Sequence, residues 1–137
     1  MSGDWRETHR GLAHAWMCDH FGHVNVRFYA HFFDDAGFAL WSMCGVTRDV
    51  FGAAGVHTVV ARTETDLRAE LRAGQPIAIA SRFERLGQKS VTYRQVLRDP
   101  ETGRVHAEQR AVEVFFDPVT RTSRPIPDAI RALLEPP

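Results

Sequence analysis

A helical pattern of apolar residues is the clearest signal along this chain. From Val26 onward, apolar residues recur three and four positions apart, at Tyr29, Phe32, Phe33, Ala36, Gly37 and Leu40. This spacing forms a single stripe along an α-helix. Asn25 is a favourable N-cap, and Gly45 is a favourable residue just past a helix end. The pattern predicts a long helix over residues 26–44 with one face in the core.

A second face of this helix mixes apolar and polar residues, namely Phe28, His31, Asp35, Phe38 and Ser42. Such a face suits a subunit interface or the lining of a site, and it suits a solvated flank equally well. The sequence leaves these alternatives open.

Most of the remaining chain shows the period and composition of β-strands. We predict a first strand over residues 8–17, later strands over residues 57–68, 77–86, 90–98 and 105–116, and a short final helix over residues 127–134. Turn signals at Gly87-Gln88 and at residues 99–103 predict an antiparallel meander. The apolar stripe of the long helix must be buried against the concave face of that sheet, which makes the fold α+β. Oligomerisation is expected to cover the remaining sheet edges.

Length and composition fit one globular domain over residues 1–137. Lys+Arg and Asp+Glu are equal at 17 each, which argues against a nucleic-acid-binding protein, because such proteins usually carry a basic surplus. No apolar run reaches the length of a membrane span, and the polar start lacks the apolar core of a signal peptide. Cys18 and Cys44 form neither a disulfide framework nor a metal pattern. A cytoplasmic protein with free thiols is the simplest interpretation.

The segment before the long helix carries the candidate chemistry. It reads Asp19-His20-Phe21-Gly22-His23-Val24-Asn25 and places a carboxylate beside a helix N-terminus. The carboxylate can activate a nucleophile, and free backbone N–H groups can hold a developing oxyanion. The plain alternative is that Asp19 and Asn25 only cap a turn and a helix. A metal site is the weakest interpretation, because the spacing of Asp19, His20 and His23 matches no standard zinc pattern.

Over nearly its whole length, the chain resembles the hot-dog-fold acyl-CoA thioesterases of the 4-hydroxybenzoyl-CoA thioesterase type. Three motifs carry the resemblance: Asp19-x-x-Gly22-His23-Val24-Asn25-x-x-x-Tyr29, Gly87-Gln88-Lys89-Ser90, and Val114-Phe115-Phe116-Asp117 followed by Arg124-Pro125-Ile126-Pro127. The resemblance implies a hot-dog fold, in which a curved antiparallel sheet wraps around one long central helix. It also implies homodimers, often paired into homotetramers as dimers of dimers, with active sites between subunits.

The resemblance further implies that Asp19 hydrolyses an acyl-CoA thioester, as nucleophile or as the general base that activates water. The amide of Val26 is then expected to hold the carbonyl oxygen. His23 either orients Asp19 or contacts the substrate, or it only packs the loop. Asn25 either caps the helix or positions the water. The expected substrate-binding residues are Trp16, Gly22, Tyr29 and Phe33, with Arg85, Lys89 and Ser90 near the coenzyme A phosphates. Core packing and ordinary surface charge are the alternative roles for most of this set. No metal or other cofactor is expected, since coenzyme A enters as part of the substrate.

One departure from the family pattern concerns a second acid. Many relatives have an acidic residue two positions before the catalytic one, where this chain has Met17, and the run Trp16-Met17-Cys18-Asp19 resembles a subgroup with a single Asp. Other subgroups place the acid inside the helix, where Asp34 and Asp35 stand here. Two other functions stay open: a non-catalytic acyl-CoA-binding hot-dog module, and an enoyl-thioester hydratase or dehydratase that uses His23 or His31 as acid or base.

Overall fold

A computed structural model, which describes residues 4–135, shows one antiparallel sheet and one long helix. The strands are β1 (Arg6–Leu12), β2 (His57–Leu67), β3 (Pro76–Leu86), β4 (Ser90–Arg98), β5 (Val105–Asp117) and β6 (Thr122–Ser123); the helices are α1 (Val26–Met43), α2 (Arg48–Ala54) and α3 (Asp128–Leu134). The strand order is β1-β3-β4-β5-β2, and the short β6 pairs with β5. The predicted α+β class and the meander of β3, β4 and β5 are confirmed.

Helix α1 packs its apolar stripe against the concave face of the sheet, as the spacing predicts. All six stripe residues are buried. The side chain of Asn25 accepts a hydrogen bond from the backbone N–H of Arg27 at the start of the helix. Gly45, just past the end, has a φ of +87°, a left-handed conformation that favours glycine. Both predicted helix boundaries are therefore confirmed to within one residue.

Two segments differ from the predicted elements. Strand β1 ends at Leu12, and residues Ala15–Met17 form a 3₁₀ turn instead of continuing the strand to Met17. The apolar character of this stretch reflects core packing, since Ala13 and Met17 are buried. Helix α2 was not predicted, because its seven residues are too few to show a helical period, although Val50, Phe51 and Ala54 pack against the core. Thr47 caps the start of α2, because its side chain accepts a hydrogen bond from the Val50 N–H. Gly55 ends the helix in a left-handed conformation.

A row of hydrogen-bonded polar side chains crosses the concave face of the sheet. One residue from each long strand contributes, in the spatial order Thr8, Ser81, Gln95, Gln109 and Thr65. Gln95, which has no exposed surface, also donates to the backbone carbonyl of Phe33 in α1 at 2.8 Å. Because buried polar groups require partners, this row favours one position of α1 on the sheet.

Strand β2 leaves one sheet edge open. Within the described part of the chain it pairs with β5 alone, and nearly all of its side chains are exposed. On the neighbouring flank of α1, Phe38 is 71% exposed. The predicted mixed face of α1 thus lies on the surface of a single chain, beside the open edge of β2. The expectation of an oligomer stays a prediction.

Candidate functional site

The loop between the 3₁₀ turn and α1 folds into a tight turn with Asp19 at its base. The Asp19 N–H donates to the His23 carbonyl at 3.1 Å, and the Gly22 N–H donates to the Asp19 carbonyl at 3.0 Å. Gly22 has a φ of +85°, which a side chain would disfavour. A short antiparallel bridge between Cys18 and Val24 closes the loop. Asp19 is therefore held directly before the helix.

Two donors orient the carboxylate of Asp19. The Phe21 N–H donates to Oδ1 at 3.0 Å, and Asn25 Nδ2 donates to Oδ2 at 3.2 Å. The Oδ1 atom of the same Asn25 accepts the Arg27 N–H at 3.2 Å. The carboxylate is half-buried and lies at the N-terminal end of α1, where the helix dipole is positive.

One amide of the first helical turn is open to a ligand. The Arg27 N–H is bonded to the Asn25 side chain, and the Phe28 N–H is bonded to the Asn25 carbonyl at 3.0 Å. The Val26 N–H has no hydrogen-bond acceptor among residues 4–135. An open N–H beside a carboxylate can stabilise an oxyanion that forms within reach of both groups.

The ring of His23 does not contact Asp19. Its Nε2 atom lies 3.1 Å from Oε2 of Glu70. The Asp19 loop lies against the segment that contains Glu70 and Leu71, because the Val24 N–H donates to the Leu71 carbonyl at 2.7 Å. In the structure, His23 contacts Asp19 through its backbone carbonyl, while its ring pairs with Glu70; its role in the reaction stays a prediction.

The residues expected near the acyl group are divided between the surface and the core. Trp16 is 66% exposed and stacks on the ring of His14. Its ring also packs edge-to-face against Phe28, with 5.5 Å between the two ring centroids. Tyr29 is buried, and burial followed by the charge of Glu70 raises the pKa of its hydroxyl. Phe33 is buried and lines a cavity of about 360 Å³ between α1 and β2. Trp16 thus lies beside the Asp19 loop, whereas Tyr29 and Phe33 pack the core.

The residues expected near coenzyme A lie towards the opposite end of α1. Lys89 lies in the β3–β4 turn, and Ser90 is the first residue of β4. At this turn, the Ile126 N–H donates to the Gln88 carbonyl at 3.0 Å, and Arg131 donates to the Gly87 carbonyl at 2.6 Å. This turn therefore packs near α3, which shares a core cluster with Leu40 and Trp41 of α1. Arg85 is exposed near the end of β3. Within one chain, the fold does not bring this set to Asp19.

A second polar site lies between α1, α2, β2 and β5, and the sequence analysis missed it. We call it the Glu113 cavity. Its volume is about 380 Å³, and its lining includes the carboxylates of Asp34 and Glu113 and the apolar or aromatic side chains of Phe38, Trp41, Val46, Phe51, Val60 and Tyr93. Glu113 alternates in phase with the core residues Ala111 and Phe115 of β5. A charged residue in that phase was the signal that could have revealed the site.

Hydrogen bonds hold the carboxylate of Glu113 in the lining of the Glu113 cavity. Thr58 Oγ1 donates to Oε1 of Glu113 at 2.7 Å, and Trp41 Nε1 donates to Oε2 at 3.2 Å. Burial, followed by the charge and hydrogen bond of Glu113, raises the pKa of the Tyr93 hydroxyl. Burial, followed by the charge of Glu113, also raises the pKa of Asp34. The cavity thus combines aromatic rings with two carboxylates.

Among residues 4–135, no group of three or more His, Cys, Asp or Glu side chains is arranged to hold a metal ion. None of the helices in this range combines the length and the apolar character that a membrane crossing requires.

The family model of the thioesterase-like superfamily matches residues 13–134, a range that includes the Asp19 loop, α1 and every strand of the sheet except β1. The chain belongs to the thioesterase-like superfamily. No curated protein is similar enough in sequence to count as a match.

Several solved structures share the fold of this chain. The 1,4-dihydroxy-2-naphthoyl-CoA thioesterase Slr0204 from Synechocystis superposes with a TM-score of 0.82 at 11% identity, over 96% of each chain. SAV2348 from Staphylococcus aureus, solved in complex with CoA, gives a TM-score of 0.85 at 15% identity, over 94% of this chain and 82% of that one. A protein from Lactobacillus plantarum assigned as an oleoyl thioesterase gives 0.86 at 18%, over 96% of this chain. This chain spans about half of that protein, since the match covers 51% of it. The predicted hot-dog fold is confirmed.

Proposed function

We propose that this protein is an acyl-CoA thioesterase, which hydrolyses an acyl-CoA to the free acid and coenzyme A. The observation that carries the proposal is the geometry before α1. The carboxylate of Asp19 is oriented by Phe21 and Asn25, beside the open N–H of Val26. Membership of the thioesterase-like superfamily and the coenzyme A bound to SAV2348 support the same substrate class.

In the proposed reaction, the thioester carbonyl oxygen lies against the Val26 N–H. Negative charge develops on this oxygen in the transition state, where a preorganised N–H donor stabilises it. Asp19 attacks the carbonyl carbon and displaces the coenzyme A thiolate, and water then cleaves the resulting anhydride. Alternatively, Asp19 takes a proton from a water molecule that attacks directly. Either route yields the free acid, and the thiolate leaves without a strong general acid.

We further propose that the working unit is a homodimer, which can pair into a tetramer. Helix α1 has 18 residues and is about 27 Å long at 1.5 Å per residue. Asp19 lies at one end of it, and the predicted coenzyme A residues Lys89 and Ser90 lie near the other. A two-fold axis that sets two copies of α1 antiparallel brings the two groups together. The open edge of β2 and the exposed Phe38 provide a surface for such a contact.

The experiment is thiol release from a panel of short, long, aromatic and charged acyl-CoAs, measured with the parent protein and with Asp19→Asn. We expect turnover by the parent and at least about a 100-fold lower kcat in the variant, with an unchanged fold and retained ligand binding. Asp128→Asn, an exposed acid in α3, is the matched control. A variant that keeps more than about a tenth of the parent rate contradicts the role of Asp19.

Two further outcomes separate the other functions. Binding of acyl-CoAs without turnover across the whole panel indicates a non-catalytic binding module. A change in double-bond absorbance with enoyl-CoA, without thiol release, indicates a hydratase or dehydratase.

A further inference from the structure

Arg27 is a cation held in place beside the proposed reaction site. It follows Val26 directly, in the first turn of α1. Its Nε atom donates to Oδ1 of Asn25 at 3.2 Å, and Nδ2 of the same Asn25 donates to Asp19 at 3.2 Å. Its guanidinium carbon lies 5.6 Å from the centroid of the Phe28 ring. These contacts orient the guanidinium group and hold it two hydrogen bonds away from the carboxylate of Asp19.

The outer edge of this guanidinium group has no partner within the described part of the chain. Among residues 4–135, no hydrogen bond or salt bridge involves its Nη atoms. Two acidic side chains of the same region are paired elsewhere. Asp35 of α1 lies 3.7 Å from His31, and Glu70 pairs with His23 and Arg72. The exposed Nη edge can therefore accommodate an anion from outside the chain.

A guanidinium group in this orientation suits a carboxylate of the acyl group. Its planar edge presents parallel N–H donors that match the two oxygens of a carboxylate, and the positive N-terminal end of α1 adds to the attraction. The phosphates of coenzyme A suit this position less well, because the whole pantetheine arm separates them from the thioester. Arg27, in contrast, directly follows Val26, whose N–H receives the thioester oxygen in the proposed reaction.

We infer that Arg27 selects acyl groups that carry a second carboxylate, so that the preferred substrates are coenzyme A monothioesters of dicarboxylic acids. This selectivity rests on the proposed thioester hydrolysis at Asp19. The distal carboxylate of the acyl group accepts hydrogen bonds from the Nη atoms of Arg27. The methylene groups between the two carbonyl carbons lie against the rings of Phe28 and Trp16, which pack edge-to-face. Hydrolysis releases a dicarboxylic acid and coenzyme A.

The test measures kcat/KM for thiol release from matched pairs: malonyl-, succinyl-, glutaryl- and adipyl-CoA, each with its monomethyl ester, which has the same chain without the charge. For at least one chain length, we expect the parent to favour the acid over the ester at least about tenfold, the effect of one charge-assisted hydrogen bond. In Arg27→Gln, this ratio should fall to unity or below, since Asp19 repels the second carboxylate. Arg27→Lys keeps the charge without the planar fork and should retain part of the ratio.

The ratio of acid to ester also separates the charge of Arg27 from its bond to Asn25. A displaced Asp19 carboxylate affects both members of a pair equally, so only recognition of the acyl charge changes the ratio. Arg104→Gln removes an arginine charge from the exposed β4–β5 turn and should leave the ratio within about twofold of the parent, because a distant exposed charge is screened. Equal losses for acid and ester in Arg27→Gln assign this residue to coenzyme A instead and overturn the selectivity.

Binding measurements distinguish a failure of this selectivity from a failure of thioester hydrolysis. Calorimetric titration of Asp19→Asn with the same pairs gives an affinity ratio that does not depend on turnover. Equal kcat/KM for acid and ester at every chain length in the parent overturns the selectivity alone. Absence of thiol release from every pair overturns the thioesterase. In that case, equal affinities of Asp19→Asn for acids and esters overturn the selectivity as well, whereas a preference for the acids that Arg27→Gln abolishes supports it.

Discussion

Asn25 connects the carboxylate of Asp19 to the first turn of helix α1. Its Nδ2 atom donates to Asp19 Oδ2 at 3.2 Å, while its Oδ1 atom accepts the Arg27 N–H at the same distance. One side chain thus sets both the helix start and the orientation of the carboxylate. Asp19 and the open N–H of Val26 are held together by this link, so Asn25 is a positioning residue in the proposed reaction.

Asn25→Asp should separate these two tasks. Aspartate caps a helix as well as asparagine does, but it donates no hydrogen bond and places a second negative charge beside Asp19. A neighbouring like charge raises the pKa of a carboxyl group, so ionised Asp19 is lost at a higher pH. In the pH profile of kcat/KM for thiol release, we expect the pH below which activity falls (the acid limb) to rise by about one pH unit. We expect Tm to change by less than about 3 °C.

The control for this prediction is Asn25→Ser, which keeps a capping oxygen and adds no charge. It should lower kcat/KM without moving the acid limb. An acid limb that stays in place in Asn25→Asp shows that residue 25 acts only as a helix cap.

Phe38→Glu tests the proposed dimer. Phe38 is 71% exposed on the flank of α1 beside β2, and a charge buried at that contact carries a large desolvation penalty. We expect sedimentation to show the mass of a single chain and thiol release to fall at least about tenfold. Val119→Glu, at an 87% exposed position between β5 and β6, should leave both unchanged. A parent protein that sediments as a single chain contradicts the dimer.

Gly37 and Tyr93 should show strong energetic coupling. A Cβ at position 37 would lie 3.0 Å from the Tyr93 hydroxyl oxygen. Tyr93 is 3% exposed and cannot move aside easily. We expect Gly37→Ala to destabilise the protein by about 1–3 kcal/mol, as overpacking of a core does. In a Tyr93→Phe background, the same change should cost less than half as much, because phenylalanine lacks the hydroxyl oxygen that the new Cβ would approach.

Urea unfolding of the parent, both single variants and the double variant measures this coupling as a thermodynamic cycle. Additive free energies of unfolding would show that the close approach of the two residues carries no strain.

Asp34 should make stability depend on pH. Burial and the charge of Glu113 raise the pKa of Asp34 in the folded state, so folding favours the protonated form. The contribution of Asp34 to stability is then greatest below its unfolded-state pKa of about 3.8 and is lost as pH rises through the higher folded-state pKa. Asp34→Asn should therefore raise Tm at pH 7 and leave the Tm at pH 3 nearly unchanged. Asp66→Asn, at an exposed position of β2, should give no comparable gain, and an equal gain at both pH values contradicts the assignment.

Local signals account for the elements that the sequence predicted correctly. The stripe, the N-cap and the glycine stop of α1 lie within twenty positions of one another, and each turn depends on four or five consecutive residues. Helix α2 was not predicted because its seven residues are too few for its core-facing Val50, Phe51 and Ala54 to show a helical period. The predicted first strand was too long at its C-terminal end. Ala13 and Met17 are buried, but they follow the end of β1, and Met17 belongs to a 3₁₀ turn.

The sequence by itself therefore determined the long helix, the meander, the hot-dog family and the Asp19–Asn25 segment, because these depend on residues close together along the chain. Only the tertiary structure decided that the His23 ring faces Glu70, that Lys89 lies far from Asp19, and that Glu113 lines a cavity. The physical reason is sheet register. The bond between Trp41 and Glu113 joins residues 72 positions apart, and only the pairing of β5 with β2 and the packing of α1 on the sheet bring them together.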